Sequence, residues 1–134
     1  NRRARRSEPS WFAGRVLVAA GWKPGFSTDH DAVILARRFR ARTLVNLSNI
    51  AKVYTADPKK DPSARPLDAV SWTEFRKIVG EEWSPGRNTP FDPAATRAAA
   101  AARLRVVFAD GRNFENLAAI LAGRPFIGTT IGPE

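Results

Sequence analysis

Short apolar runs alternate with helix-forming stretches along this chain, and this alternation constrains the fold more than any other feature. RVLVAA is typical of a strand buried on both faces. A strand, a loop with a helix, and a second strand form a right-handed crossover in a parallel sheet. We therefore predict an α/β fold with a mostly parallel sheet. The predicted strands are RVLVAA (15–20), TLVNL (43–47), LRVVFAD (104–110) and PFIGTTI (125–131).

The first predicted helix is DHDAVILARRFRA, which follows the first apolar run. Ser27, Thr28 or Asp29 can cap its N-terminus. Its apolar residues recur at intervals of three and four, so they form one face: Ala32, Leu35, Ala36 and Phe39.

Three further helices carry their own start or stop signals. Ser71 and Glu74 have the spacing of a capping box before WTEFRKIVG, and Gly80 would end that helix. Asp92 at the cap and Pro93 at the first helical position begin an alanine-rich helix. NFENLAAILAG is predicted to be the fourth helix, after a turn at ADG.

The composition excludes several classes of protein. With 134 residues, 43% hydrophobic and 26% charged, the chain predicts one soluble globular domain. No apolar run approaches the roughly 20 residues of a membrane span. The absence of cysteine excludes disulfides and thiolate chemistry. The polar start lacks a signal-peptide pattern, so we expect a cytoplasmic protein with no membrane partner.

The net charge of +9 has two sources. Four arginines lie within residues 1–6, and a milder excess belongs to the rest of the chain. Such an arm can bind nucleic acid through phosphates, although a displaced basic end is the simpler interpretation. The remaining excess suits any phosphate-bearing ligand.

In open α/β sheets, ligands bind outside the carboxyl ends of the strands. GWKPGFSTD follows the first predicted strand and combines glycines, a lysine and hydroxyls at a helix N-terminus. Amide donors at the positive end of a helix suit a phosphate. The stretch matches neither a Walker A loop nor a dinucleotide fingerprint, and a tight turn with a cap explains it equally well. ADGRN and the end of FIGTTI lie at the same predicted edge.

NLSNIAKVYTADPKKDP follows the second predicted strand. Ser48 and Asn49 are placed to contact a ligand where the strand ends. Tyr54 can pack on a base or ribose, and Asp57 can accept hydrogen bonds from sugar hydroxyls or base amines. A surface loop in which Asp57 and Pro58 start a turn is the alternative.

Other conspicuous residues have simpler explanations. Capping alone explains Asp92, and His30, the only histidine, is expected to be structural. There is no motif with metal-ligand spacing, so we predict no metal site built by the protein. Scattered tryptophans predict packing anchors rather than a stacking platform: Trp11, Trp22, Trp72 and Trp83.

Four stretches, taken in order, resemble the C-terminal half of the UMP kinases, which are bacterial and archaeal members of the amino acid kinase superfamily. They are GWKPGFSTDHDAVILA, NLSNIAKVYTADPKKDPSA, PFDPAATRAAAAARLRVVFADGRNFENL and LAGRPFIGTTI. The resemblance covers about residues 15–131. It implies a three-layer αβα, carbamate kinase-like fold, with residues 15–134 as the ATP-binding C-terminal part of the domain after a basic arm, residues 1–14.

The resemblance also implies an activity, which is transfer of the γ-phosphoryl group of ATP to UMP, giving UDP for pyrimidine nucleotide biosynthesis. The implied cofactors are ATP and the Mg2+ that it carries, and the implied assembly is a homo-oligomer, typically a hexamer. Asp92 matches a family aspartate near the phosphates and is the implied catalytic residue. The implied ATP-binding residues are Ser48, Asn49, Tyr54 and Asp57. The implied UMP-binding residues are Gly21, Trp22, Lys23, Pro24, Gly25, Phe26, Ser27 and Thr28.

Two departures from the family pattern matter. Residues 50–54 read IAKVY where many relatives have VDGVY, so we expect a different loop geometry there. Residues 1–14 are too few to replace the family's N-terminal half with its lysine-glycine phosphate loop, and we expect this chain to be a fragment that is catalytically deficient alone. The alternatives are another amino acid kinase branch, such as a carbamate or acylamino-acid kinase, or a non-catalytic nucleic-acid-binding protein.

Overall fold

A computed structural model of the protein describes residues 14–22, 24–80 and 90–132. Within these ranges the chain forms four helices and four strands. In chain order they are α1 Thr28–Arg38, β1 Thr43–Ser48, β2 Ala69–Ser71, α2 Trp72–Val79, α3 Pro93–Ala101, β3 Arg105–Asp110, α4 Phe114–Leu121 and β4 Thr129–Gly132. All four predicted helices are present.

The strands form one sheet in the order β1-β3-β4-β2. β1 runs parallel to β3, with Val45 opposite Val107, and β2 runs parallel to β4. β3 and β4 are antiparallel. The sheet is therefore mixed and mostly parallel, and the predicted α/β class is confirmed. The prediction missed β2, because a strand of three residues carries too little alternation to be recognised.

The first predicted strand, residues 15–20, is wrong. Residues 16–20 lie outside the sheet, and the side chains of Val16 and Val18 are 77% and 89% exposed. A strand buried on both faces needs a hydrogen-bonded neighbour and covering elements. Within the described residues, β1 and β2 are the sheet edges and neither pairs with this segment. The predicted crossover from residues 15–20 to β1 therefore does not form.

The core lies where α1, α2 and α3 pack together against the sheet. Val33 of α1, Phe75 of α2, Ala95 of α3, Phe108 of β3 and Ile131 of β4 are all fully buried in one cluster. Burial of a large apolar side chain contributes roughly 1.5–3 kcal/mol relative to exposure. These contacts fix the starts of α1 and α3 next to each other.

The predicted apolar face of α1 is only partly right. Ala36 is buried as expected, but Val33 is the fully buried residue of this helix, and Phe39 is 43% exposed. Phe39 lies beyond the last helical residue as the C-cap, so the face ends before it. Asp31 is also buried, which a purely apolar face does not predict.

The cap predictions hold. Ser27 caps α1, Ser71 and Glu74 form the capping box of α2, and Asp92 caps α3. Gly80 ends α2 with a φ of 79°, a conformation that favours glycine.

Trp72 is the one tryptophan that acts as a core anchor within the described residues. It is buried, and its indole N–H donates to the carbonyl of Leu104 over 3.0 Å. Trp22 is 58% exposed, and Trp11 and Trp83 lie outside the described residues. Within the same ranges, every helix is too short or too polar to cross a bilayer.

Candidate functional site

The first loop, defined as residues 21–28, leads into the N-terminus of α1. Gly25 has a φ of +88°, which a residue with a side chain rarely adopts, and this conformation turns the chain toward the helix. The hydroxyl of Ser27 accepts a hydrogen bond from the backbone N–H of His30 over 3.1 Å. The residues predicted to bind UMP are the eight residues of this loop. Phe26 and Ser27 are half-buried, and Lys23 lies outside the described residues. The others are exposed: Gly21, Trp22, Pro24, Gly25 and Thr28.

A buried carboxylate ties the first loop to α1. The backbone N–H of Trp22 donates to Oδ2 of Asp31 over 2.9 Å, and only 9% of Asp31 is exposed. The other oxygen, Oδ1, is buried without a hydrogen-bond partner among the described residues. Sequence reasoning missed Asp31. The available signal was a carboxylate two residues before Val33 and five before Ala36, the other buried residues of α1.

Three rings line the first loop. Trp22 meets Phe26 edge to face, with ring centroids 5.3 Å apart, and Phe26 stacks on His30 at 4.9 Å. The stacking agrees with the expected structural role of His30. The loop therefore has a defined aromatic side next to its exposed backbone.

The N-termini of α1 and α3 meet at a pair of aspartates. Oδ2 of Asp29 accepts a hydrogen bond from the backbone N–H of Asp92 over 3.0 Å. Oδ1 of Asp92 in turn accepts from the backbone N–H of Ala95 over 2.8 Å, which caps α3. The N-termini of α1 and α3, which carry the positive ends of the two helix dipoles, therefore lie next to each other beside the first loop.

Burial raises the pKa of the Asp29 carboxyl. The hydrogen bond from Asp92 lowers it by a smaller amount, and the charge of Asp92 raises it again. Sequence reasoning considered Asp29 only as a helix cap and missed its bond to Asp92. A contact between residues this far apart in the chain leaves no local pattern.

Asn46 connects this region to the start of the second loop. Its side-chain amide donates to Oδ1 of Asp29 over 3.4 Å. Alternate strand residues share a face, so Asn46 and Ser48 lie on the same face of β1. The end of the first loop and the beginning of the second loop therefore lie near each other, beside the carboxyl-terminal part of β1.

The second loop, defined as residues 49–68, begins with a small polar network. The hydroxyl of Ser48 donates to Oδ1 of Asn49 over 3.4 Å. Arg112 donates to the carbonyl of Asn49 over 3.1 Å and forms a two-pronged ion pair with Asp110 at 2.9 and 2.7 Å. Hydrogen bonds from the Arg112 side chain, and then from its backbone, hold the pKa of Asp110 at about 2. Arg112 lies in the segment ADGRN, which was predicted to lie at the ligand-binding edge, but the sequence did not indicate a role for this arginine.

Tyr54 and Asp57 lie farther along the second loop. Tyr54 is half-buried and pairs through its backbone with Pro66. Asp57 is exposed, its Oδ1 accepts from the backbone N–H of Lys59 over 3.0 Å, and its carbonyl accepts from Lys60 and Asp61. Asp57 therefore starts a turn, as the alternative interpretation of this segment predicted, and its carboxylate lies at the surface.

Lys52 lies at the departure from the family pattern. Its ammonium group forms an ion pair with the exposed carboxylate of Asp68, at the other end of the second loop. The charge of Lys52 is thus paired with a carboxylate of the same loop.

The described residues suit a phosphate more than a bare cation. Residues 14–22, 24–80 and 90–132 hold no group of three or more histidines, cysteines, aspartates or glutamates that could bind a metal ion. They do supply helix N-termini, hydroxyls and exposed backbone amides, which are phosphate donors. This donor set suits the phosphates of a ligand, whereas a bound Mg2+ would need oxygen ligands. The arginine-rich arm, on which the nucleic-acid-binding alternative rests, lies outside the described residues.

Comparisons with known proteins agree with this chemistry. Residues 7–110 match the model of the Amino acid kinase family. The uridylate kinases of Methanocella arvoryzae and Hyperthermus butylicus are 36% and 34% identical over 121 and 114 residues, which is 90% and 85% of this chain and 54% and 50% of theirs. The chain spans about half the length of these curated relatives.

Two solved structures share the fold. The uridylate kinase from Archaeoglobus fulgidus is 32% identical, with a TM-score of 0.69, and the match covers 84% of this chain and 50% of that one. The UMP kinase from Bacillus anthracis has the same TM-score at 19% identity and covers 84% of this chain and 43% of its own, so it supports the fold alone.

Proposed function

This chain belongs to the amino acid kinase family, and we propose that it serves the transfer of the γ-phosphoryl group of ATP to UMP, which gives UDP. In this proposal the first loop binds UMP and the second loop binds ATP with its Mg2+. The observation that carries the proposal is the convergence of the α1 and α3 N-termini beside the first loop, joined by Asp29 and Asp92.

Phosphoryl transfer depends mostly on positioning and on stabilisation of charge. The hydroxyls of Ser27 and Thr28, together with amides of the first loop, hold the phosphate of UMP at the N-terminus of α1. The adjacent N-terminus of α3 adds its own positive end. These fixed dipoles stabilise the phosphate charge effectively, because the dipoles need no reorganisation during the reaction.

The donor side lies along the second loop. Ser48 and Asn49 meet the nucleotide where β1 ends, Tyr54 packs against the adenosine, and Asp57 accepts hydrogen bonds from it. Mg2+ bound to ATP supplies neutralisation of the phosphate charge. In this proposal Asp92, held by its cap geometry, lies at the phosphate end of the site, where its carboxylate would act on the phosphoryl groups through the Mg2+ that ATP carries.

The names of the relatives support UMP as the acceptor, since those at 34–36% identity are uridylate kinases. The proposed setting is pyrimidine nucleotide biosynthesis in the cytoplasm, and the proposed assembly is a homo-oligomer of the hexameric type. Residues 1–6 stay outside this proposal.

Titration calorimetry tests the assignment of the two loops. Tyr54→Ala and Asp57→Ala should each weaken ATP binding and leave UMP binding unchanged. Ser27→Ala with Thr28→Ala should weaken UMP binding and leave ATP binding unchanged. An ATP titration that is the same in all variants would contradict the second-loop assignment. Binding of carbamate or an acylamino acid in place of UMP would contradict the proposal that UMP is the phosphoryl acceptor, and it would favour another branch of the family.

A further inference from the structure

The second loop is closed at its base by one buried hydroxyl. Thr129, the first residue of β4, is fully buried. Its Oγ1 accepts a hydrogen bond from the backbone N–H of Val53 over 2.9 Å and donates one to the carbonyl of Leu67 over 2.6 Å. The backbone N–H of Leu67 donates to the carbonyl of Val53 over 2.9 Å. Val53, Leu67 and Thr129 are called the loop base below.

The residues that follow the loop base on each side of the second loop are also paired with each other. Tyr54, next to Val53, pairs with Pro66, next to Leu67. One residue farther out, the N–H of Thr55 donates to the carbonyl of Arg65 over 2.9 Å, and the N–H of Arg65 donates to the hydroxyl of Thr55 over 3.0 Å. The two sides of the second loop are therefore hydrogen-bonded or paired at three successive positions, starting from the loop base.

Threonine suits this position for a specific reason. Val53 is fully buried, so its backbone N–H needs a partner within the protein, and an unpaired buried amide is strongly unfavourable. A hydroxyl is the one side-chain group of this size that donates and accepts at once. The preceding Gly128 lets the chain come close, because a Cβ there would lie 2.6 Å from the carbonyl oxygen of Phe108.

We propose that Thr129 is a positioning residue for ATP binding by the second loop. It does not touch the nucleotide. It fixes the separation of Val53 and Leu67, and through them it holds Tyr54 in the orientation that packs on adenosine. This inference rests on the proposed function, because it takes the second loop as the ATP site.

Thr129→Val tests this inference, because it keeps the shape of the side chain and removes only the hydroxyl. We expect the amide of Val53 to exchange hydrogen faster, ATP binding to weaken about tenfold, and UMP binding to stay unchanged. Thr129→Ser keeps the hydroxyl and should restore both the exchange rate and the ATP affinity. Thr130→Val is the matched control, since Thr130 points to the other face of β4 and should leave all three readouts unchanged.

The outcomes separate the inference from the proposed function. If the unsubstituted chain binds ATP and Thr129→Val binds it equally well, the positioning role is wrong and the ATP site stands. If Thr129→Val weakens ATP and UMP binding alike, the substitution disturbs the whole structure, and the specific role of Thr129 in ATP binding is wrong. If the unsubstituted chain binds no ATP, the proposed function fails and this inference fails with it. Thr129→Ala, compared with Thr129→Ser at low temperature, gives the same comparison should the valine variant not fold.

Discussion

The carboxylate of Asp29 accepts a hydrogen bond from the backbone N–H of Asp92, with 3.0 Å between the oxygen and the nitrogen. This bond joins the first turn of α1 to the cap of α3, across 63 residues of chain. It places two helix N-termini, and the partial positive charge of each, where the first loop ends and near Asn46 of β1. This placement supports the proposed site for phosphate groups.

The bond itself can be tested by two substitutions at Asp29. Asp29→Ala should lower the free energy of unfolding by about 1–3 kcal/mol, because the N–H of Asp92 loses its acceptor while it stays partly buried. Asp29→Asn keeps an acceptor oxygen and should cost less. Denaturant titration measures both, and equal losses in the two variants would argue against the bond.

The pH dependence of stability should report the raised pKa of Asp29. Between the ordinary value of 3.8 and the raised one, the folded protein holds a proton that the unfolded chain has released. The contribution of Asp29 to stability therefore falls as pH rises through that window and is constant above it. Asp29→Asn should remove this part of the slope, and an unchanged slope would show that Asp29 titrates normally.

Asp92 has two proposed roles that one substitution separates. Asp92→Ser keeps a good cap for α3, whereas Asp92→Ala removes it and should lower stability by about 1 kcal/mol. We expect Asp92→Ser to fold with nearly unchanged stability and still to weaken the binding of ATP with Mg2+ in calorimetry, because the carboxylate is gone. Binding equal to that of the unsubstituted chain would reduce Asp92 to a cap.

Asp31 should control the first loop. Asp31→Ala removes the acceptor for the N–H of Trp22, so we expect weaker UMP binding with little change in ATP binding. Asp31→Asn keeps an acceptor for that N–H and should bind UMP nearly as well as the unsubstituted chain. Calorimetric titration of the two variants gives the comparison, and equal UMP affinities in both would separate Asp31 from the site.

Asp110 should titrate well below its usual range. NMR titration of its carboxyl should give a pKa of about 2. Arg112→Ala should return the value toward 3.8, and Arg112→Lys, which keeps the charge without the two-pronged geometry, should give a value between them. The stability that Asp110 contributes is present above 3.8 and is lost as pH falls through about 2. A carboxyl that titrates near 3.8 in the unsubstituted chain would contradict the ion pair.

Local sequence patterns predicted most helices and strands of this fold, but they could not predict contacts between residues that are far apart in the chain. Caps such as Ser71 with Glu74 were found because all of their parts lie within one turn. The apolar run 15–20 was assigned to the sheet because apolarity alone does not reveal whether a strand has a neighbour. Thr129 gave no signal at all, since its partners Val53 and Leu67 are 76 and 62 residues away.

The loops themselves were found at the sequence level, but the groups that hold them were not. The rule that ligands meet the carboxyl ends of parallel strands singled out the second loop after β1, whereas it reached the first loop through a strand at 15–20 that does not form. Asp31 and Asp29 escaped notice because each lies on a helix, where a carboxylate is ordinarily a solvated or capping residue.

A bisubstrate analogue tests most directly whether the two loops form one phosphoryl-transfer site. Adenosine and uridine joined through a pentaphosphate can occupy both loops at once, so the second contact gains from high effective concentration. Diadenosine pentaphosphate is the matched control, with the same charge and no uracil. We expect calorimetry to show the mixed analogue binding at least about tenfold more tightly than the control or ATP alone, whereas equal affinities for all three would contradict a shared site for ATP and UMP.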